Sequence, residues 1–275
     1  MLRLLFIFPI ILLSFYTSFS QISLIDSLKN ELSHSSGIQK SAILIDLSNA
    51  LVYSQTHDAL SFSEEAFRIA VDHQSDSLKY AALKAMGYAN GYLGNFETSL
   101  QNMKDGLVYY EKIADSVRIA EALSDIAWLL QQLSSDEADI MGYNLRALAI
   151  REKIGDEKGV AYSLNNIGVL YWDWNKHDEA VGYFLKAAPY FEKLGLDEEV
   201  ATVLSNIGSY YTEIGQYYKA DSFQNRSMEL HRKIGHKNGE AQNLVNLARI
   251  YLLQDDYSRA LHYNETSLKI REAIG

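Results

Sequence analysis

The 275-residue sequence contains no cysteine. Disulfides, thiolate metal sites and cysteine nucleophiles are therefore excluded, although this absence does not identify a compartment. Proline is nearly missing, with 2 residues, one of which (Pro9) lies in an N-terminal apolar run. Such scarcity of a helix breaker suits long helices joined by short turns. Basic charge is in deficit: 25 Lys and Arg stand against 35 Asp and Glu, a formal net charge of −10. No basic stripe interrupts that balance, so nucleic acid is not an expected partner. Histidine pairs at metal-binding spacing and glycine-rich phosphate loops are also missing, so no metal or cofactor is expected. No nucleophile–base set can be assembled, and the chain is not expected to be an enzyme.

What is present is mostly apolar and aromatic. Hydrophobic residues make up 48% of the chain, enough for a folded protein, and Tyr numbers 19. Large rings with a polar tip suit the gaps between stacked helices and the floor of a groove.

Residues 1–20 differ from the rest. Arg3 is their sole charged side chain, Leu4 to Leu13 is an apolar run, and Ser18 and Ser20 are small residues before Gln21. This pattern reads as a secretory signal peptide, which places the mature chain in the periplasm or outside the cell. An uncleaved membrane anchor is the alternative. Residues 21–36 carry Ile22, Leu24, Ile25, Leu28 and Leu32 near i, i+3, i+4 spacing. That spacing predicts an amphipathic helix that caps the N-terminal end of the remaining chain.

From residue 37 onward the chain repeats. Leu164-Asn165-Asn166-Ile167-Gly168-Val169-Leu170-Tyr171 returns 40 residues later as Leu204 to Tyr211, and 40 later again as Leu244 to Tyr251. A fixed period in this range marks stacked helical units that bury their apolar faces on one another. Six helix-turn-helix units are expected, at about 37–73, 74–114, 115–155, 156–195, 196–235 and 236–275. Leu194-Gly195 and Ile234-Gly235 supply left-handed stops, as does Ile154-Gly155. Gly168, Gly208 and Ala248 on first helices, with Ala180, Ala220 and Ala260 twelve residues on, are small where two helices must approach closely. The architecture is an all-α solenoid.

These residues resemble the tetratricopeptide repeat. The 40-residue spacing departs from the usual spacing of about 34. It is similar to the long-repeat branch typified by kinesin light chains and the Leu-Gly-Asn repeat spindle adaptors. The resemblance implies a right-handed superhelical path and a concave groove that holds a peptide or protein segment. It departs from the pattern most in the first unit, where Ser48 takes the glycine position. A signal peptide joined to such repeats also looks like the sensor region of bacterial membrane histidine kinases and transcriptional regulators. Gly275 falls where Gly155, Gly195 and Gly235 are each followed by another helix, which keeps that second reading open. On either reading, contact with a membrane comes only through the signal peptide or a segment downstream.

The candidate groove residues come from helical register. Asn166, Asn206 and Asn246, with Asp125 in the third unit, lie two before the small residue, and an exposed carboxamide there can pair with an extended backbone. In the resembled family, Asn at this position lies on the concave face and often holds a peptide backbone. The alternative is that these side chains stiffen the stack. Asn165, Trp128, Trp172 and Arg249 occupy flanking positions. The tryptophans read as apolar anchors or as packing between first helices. Arg249 reads as a carboxylate partner or as half of an ion pair with Glu213.

Overall fold

The computed structural model describes residues 15–275, with side chains described from residue 23 onward. Most of the expected signal segment therefore lies outside the described residues. Among the described residues the structure is all helix, with thirteen helices and no strand. It comprises two compact units, Met1–Ile140 and Met141–Gly275.

In the first unit, α1 (Phe15–Ser33) packs on α2 (Gly37–Leu51). It starts upstream of the expected capping segment and places Leu28 against Ile43 and Leu47. Next come α3 (Thr56–Asp72), α4 (Asp76–Tyr92), α5 (Phe96–Lys112) and α6 (Ser116–Gln132). Each packs on its predecessor, so α3 lies against both α2 and α4. The core here is built from small residues: Ala59, Ala66, Ala82 and Ala89 are fully buried around Leu44 and Leu51.

The second unit holds most of α7 (Glu137–Ile154), then α8 (Glu157–Asp173), α9 (His177–Lys193), α10 (Asp197–Glu213), α11 (Tyr217–Lys233), α12 (Lys237–Leu252) and α13 (Tyr257–Ile274). Its core is larger in side-chain volume, centred on Phe184, Phe191, Leu164, Ile167, Leu204 and Ile207. Pro189 lies inside α9, so the one proline of the repeats breaks no helix.

From α3 onward every turn between helices uses a single left-handed residue. At Gly94, Gly155, Gly195, Gly215 and Gly235 that residue is glycine; at Gln74, Ala114, Ser134, Asn175 and Asp255 it is not. The bonds are those of a helix stop: Leu196 N donates to Phe191 O and Gly195 N to Glu192 O. Three of the next helix starts are capped by Asp115, Asp156 and Asp256, each accepting from the backbone N–H three residues on.

The close approaches expected at the small residues are present. A Cβ on Gly168 would lie 2.7 Å from the Phe184 ring and 3.2 Å from the Ala180 carbonyl oxygen. In α4, a Cβ on Gly87 would meet Met103 Cε at 2.7 Å. Beside these contacts the second unit repeats an aromatic stack. Tyr171 faces Tyr183 at 5.5 Å, Tyr211 faces Phe223 at 5.5 Å, and Tyr251 faces Tyr263 at 5.4 Å. Such stacks contribute about 0.5–1.5 kcal/mol beyond the area they bury. Serine hydroxyls also tie second helices to first ones: Ser227 donates to Ala201 O and Ser267 to Ala241 O.

Candidate functional site

In the second unit, α8, α10 and α12 carry the three candidate asparagines at one register. Asn166 is exposed and Asn206 half-exposed, and neither carboxamide has a hydrogen-bond partner among the described residues. Asn246 differs. Its Nδ2 lies 3.2 Å from both Ser205 Oγ and Gln224 Oε1, and its Oδ1 accepts from Gln242. Asn165 turns its Oδ1 inward, where it is buried without a partner. That unsatisfied acceptor raises the cost of the position by about 1–3 kcal/mol unless a donor reaches it.

The network that engages Asn246 goes beyond the expectation from register. Gln224 stands where the preceding repeat has Phe184, and it is fully buried. Its Nε2 donates to the Ser205 carbonyl and its Oε1 accepts from Asn243 Nδ2, both at 2.8 Å. Asn243 continues the chain of bonds to Ser227 Oγ and to His231 Nδ1, the latter at 2.7 Å. Burial holds His231 below the ordinary histidine value, against the pull of its bond to Asn243. The signal visible in the sequence is the exchange of Phe184 for Gln224 at the 40-residue period.

Trp172 is half-buried, packed against the unit's core and against His177 at 4.4 Å between ring centres. Arg249 is exposed, and Glu213, the acid expected to pair with it, instead lies 3.6 Å from His177.

The remaining two candidates belong to the first unit, where they meet residues that register did not single out. Asp125 and Trp128 of α6 line a notch of about 240 Å³, open to solvent, together with Tyr88, Gly91 and Tyr92 of α4. Tyr88 donates its hydroxyl to Asp125 Oδ2 at 2.9 Å. Burial, reinforced by Asp125, holds the Tyr88 phenol far above its ordinary range, so it stays a donor at any physiological pH. Trp128 packs edge-on against Phe96. Tyr92 meets Tyr53 edge-on at 5.0 Å, extending the aromatic wall outward. Tyr88 stands one after Gly87, as Trp128 stands one after Ala127, so the offset that locates Trp128 also points to it.

Among the described residues no group of three His, Asp or Glu side chains is placed to hold a metal ion. None of the described helices is long and apolar enough to cross a membrane.

Two family models for the tetratricopeptide repeat match the chain, one over residues 160–194 and one over residues 199–273. No curated protein matches the sequence. Among solved structures, BtubC (BKLC) from P. vanneervenii is similar with a TM-score of 0.69 at 20% identity, covering 81% of this chain and 92% of that one. A signal transduction ATPase with a tetratricopeptide repeat sensor, PH0952 from Pyrococcus horikoshii, is similar with a TM-score of 0.80 at 16% identity; 94% of this chain spans 40% of that protein. A Rap protein complexed with competence and sporulation factor gives 0.63 at 15% identity, covering 94% of this chain and 72% of the other. With the family matches, the all-helical units and the close approaches at Gly168 and Gly87, these likenesses lead to one conclusion: this chain has the fold of a tetratricopeptide-repeat solenoid, and its residues 160–194 and 199–273 are tetratricopeptide repeats.

Proposed function

We propose that this protein is a non-catalytic binding module that holds an extended peptide or protein segment on the first-helix face of its second unit. The observation that carries this reading is the pair Asn166 and Asn206. They share one register on α8 and α10, are open to solvent, and have no partner among the described residues. A carboxamide both donates and accepts, so each can complete the hydrogen bonds of a peptide backbone whatever its side chains. Asn246 joins them only by exchanging its bonds to Ser205 and Gln224. Asp125 and Trp128 offer a separate contact region in the first unit, and exposed Arg249 can meet a carboxylate. The Rap protein bound to competence and sporulation factor, and NprR bound to its cognate peptide NprX, lend support through shared fold. The module acts outside the cytoplasm, in keeping with Arg3, the apolar run and the Ser18 and Ser20 exit.

The test is selection of binders from a displayed library of random peptides, then affinity measurement on an Asn166→Ala, Asn206→Ala double variant. Affinity should fall at least tenfold while the circular dichroism and melting temperature hold. Unchanged affinity removes the asparagines from the site, and an unfolded variant makes them structural. Sequencing the N-terminus of exported protein checks the location, with Gln21 as the expected first residue.

A second reading is favoured by the likeness to the repeat sensor of PH0952, of which this chain spans 40%. Here the repeats are the sensory part of a larger signalling protein. A reading frame that continues past Gly275 into a membrane segment or output domain supports it, and an immediate stop codon removes it.

A further inference from the structure

Two successive interfaces of the second unit are built from equivalent positions, yet they treat the candidate asparagines differently. Between α9 and α10, the buried ring of Phe184 shares one apolar cluster with Val203, and Asn206 has no hydrogen-bond partner among the described residues. Forty residues on, between α11 and α12, Gln224 replaces Phe184, Asn243 replaces Val203, and Asn246 stands for Asn206. Gly208 leaves room for the exchange, since a Cβ there would lie 2.7 Å from Gln224 Nε2. Ser205 completes the group, where the preceding repeat has Asn165.

A carboxamide offers two N–H donors and one accepting oxygen. Asn246 Nδ2 donates to Ser205 Oγ and to Gln224 Oε1, each at 3.2 Å, so both of its protons are engaged. Its Oδ1 accepts from Gln242 at 3.3 Å. The two acceptors do not depend on Asn246 for their position. Gln224 is fully buried and fixed by the Ser205 carbonyl and by Asn243 Nδ2, each at 2.8 Å. Ser205 Oγ in turn donates to Gln224 Oε1 at 3.2 Å. A ligand that draws Asn246 away therefore leaves two acceptors in place that compete for its return. A peptide carbonyl meets open N–H groups at Asn166 and Asn206, and engaged ones at Asn246.

We infer that Gln224 is a specificity-determining residue: it holds the third asparagine shut, so a bound segment pairs its backbone with α8 and α10 and not with α12. The ligand is accordingly a short extended stretch held at two successive first helices. The inference rests on the peptide-binding reading and concerns which of its asparagines a ligand reaches.

The test selects binders from one displayed library of random peptides on two proteins. One is the wild type; the other is an opened variant, Ser205→Ala with Gln224→Met and Asn243→Leu, in which both side-chain acceptors are gone. The binders of each protein are then measured on it with and without Asn246→Ala. Binders of the wild type should be unaffected, and binders of the opened variant should weaken at least tenfold. A tenfold loss for wild-type binders would mean that the third asparagine is already in use, and it overturns the assignment. Binders of the opened variant that ignore Asn246→Ala overturn it as well. Should the opened variant fail to fold, the side-chain amide signals of ¹⁵N-labelled wild type decide. On addition of a selected peptide, those of Asn166 and Asn206 should move and those of Asn246 should stay; an equal shift at Asn246 refutes the assignment. In each of these failures, binding that still needs Asn166 and Asn206 leaves the peptide-binding reading standing. If neither protein selects a peptide, that reading falls and this assignment falls with it.

Discussion

Gln224 and Asn243 bond carboxamide to carboxamide at 2.8 Å inside the second unit, at a level where the preceding repeat packs the ring of Phe184. Both are fully buried, and each has its remaining polar atoms satisfied, Gln224 by the Ser205 carbonyl and Asn243 by Ser227 and His231. Removing one partner alone leaves buried groups unpaired. Gln224→Met should therefore cost about 1–3 kcal/mol, whereas Gln224→Met with Asn243→Leu should recover a large part of that loss. Urea unfolding of the two single variants and the double variant measures the coupling. Additive losses would show that the bond between the two side chains is worth nothing net.

The same network makes stability depend on pH. Burial, with His236 pushing in the same direction, keeps His231 neutral in the fold below its ordinary value of 6.5. The unfolded chain takes up its proton first, so this stability is fully present above pH 6.5 and is lost as pH falls from there through the folded value. His231→Gln should flatten the unfolding free energy between neutral pH and the onset of carboxylate titration. If the slope in that interval is the same in both proteins, His231 is not its source.

Two glycines of one helix pair should respond oppositely to alanine. At Gly168 the new Cβ would press on the Phe184 ring at 2.7 Å and on the Ala180 carbonyl at 3.2 Å, and backbone cannot rotate away. Gly168→Ala should cost about 1–3 kcal/mol. At Gly182, in α9, nothing lies within 4 Å, so Gly182→Ala should add up to about 1 kcal/mol through helix propensity. Thermal melts of both variants suffice, and a stabilised Gly168→Ala would show that the helix pair can part without loss.

Pro189 offers a direct gain. It sits in the interior of α9 on an exposed position, where it supplies no N–H for the helix. Pro189→Ala should stabilise the second unit by about 1–3 kcal/mol. A lower melting temperature would instead mean that the proline helps to seat Phe184 and Phe191.

The fold is legible in the sequence because its causes are periodic. Gly168 and Gly208 mark close approaches, Tyr171 and Tyr211 mark stacks, and Gly195 and Gly235 mark stops, each at the same step of 40. Left-handed turns at Gln74 and Ala114 are not legible, since neither residue prefers that conformation and neighbouring helices impose it. The candidate site is legible as register but not as chemistry. Asn166, Asn206 and Asn246 are equivalent in the sequence, yet the substitution of Gln224 for a ring draws Asn246 alone into an internal network. Register likewise locates Trp128 and Asp125, while the notch beside them depends on what Gly91 lacks, and an omission carries no hydrophobic signal.

The ties between helices recur with the chain's own period. Ser227 reaches Ala201 O and Ser267 reaches Ala241 O, each 26 residues back, and Lys193 meets Glu157 as Lys233 meets Asp197. A gene duplication that copies one block of 40 residues would copy its internal ties as well, and the new block would arrive able to fold against its parent. Relatives of this protein should therefore differ in length by whole blocks. An insertion of half a block would put a second helix where a first belongs, and natural selection should remove it.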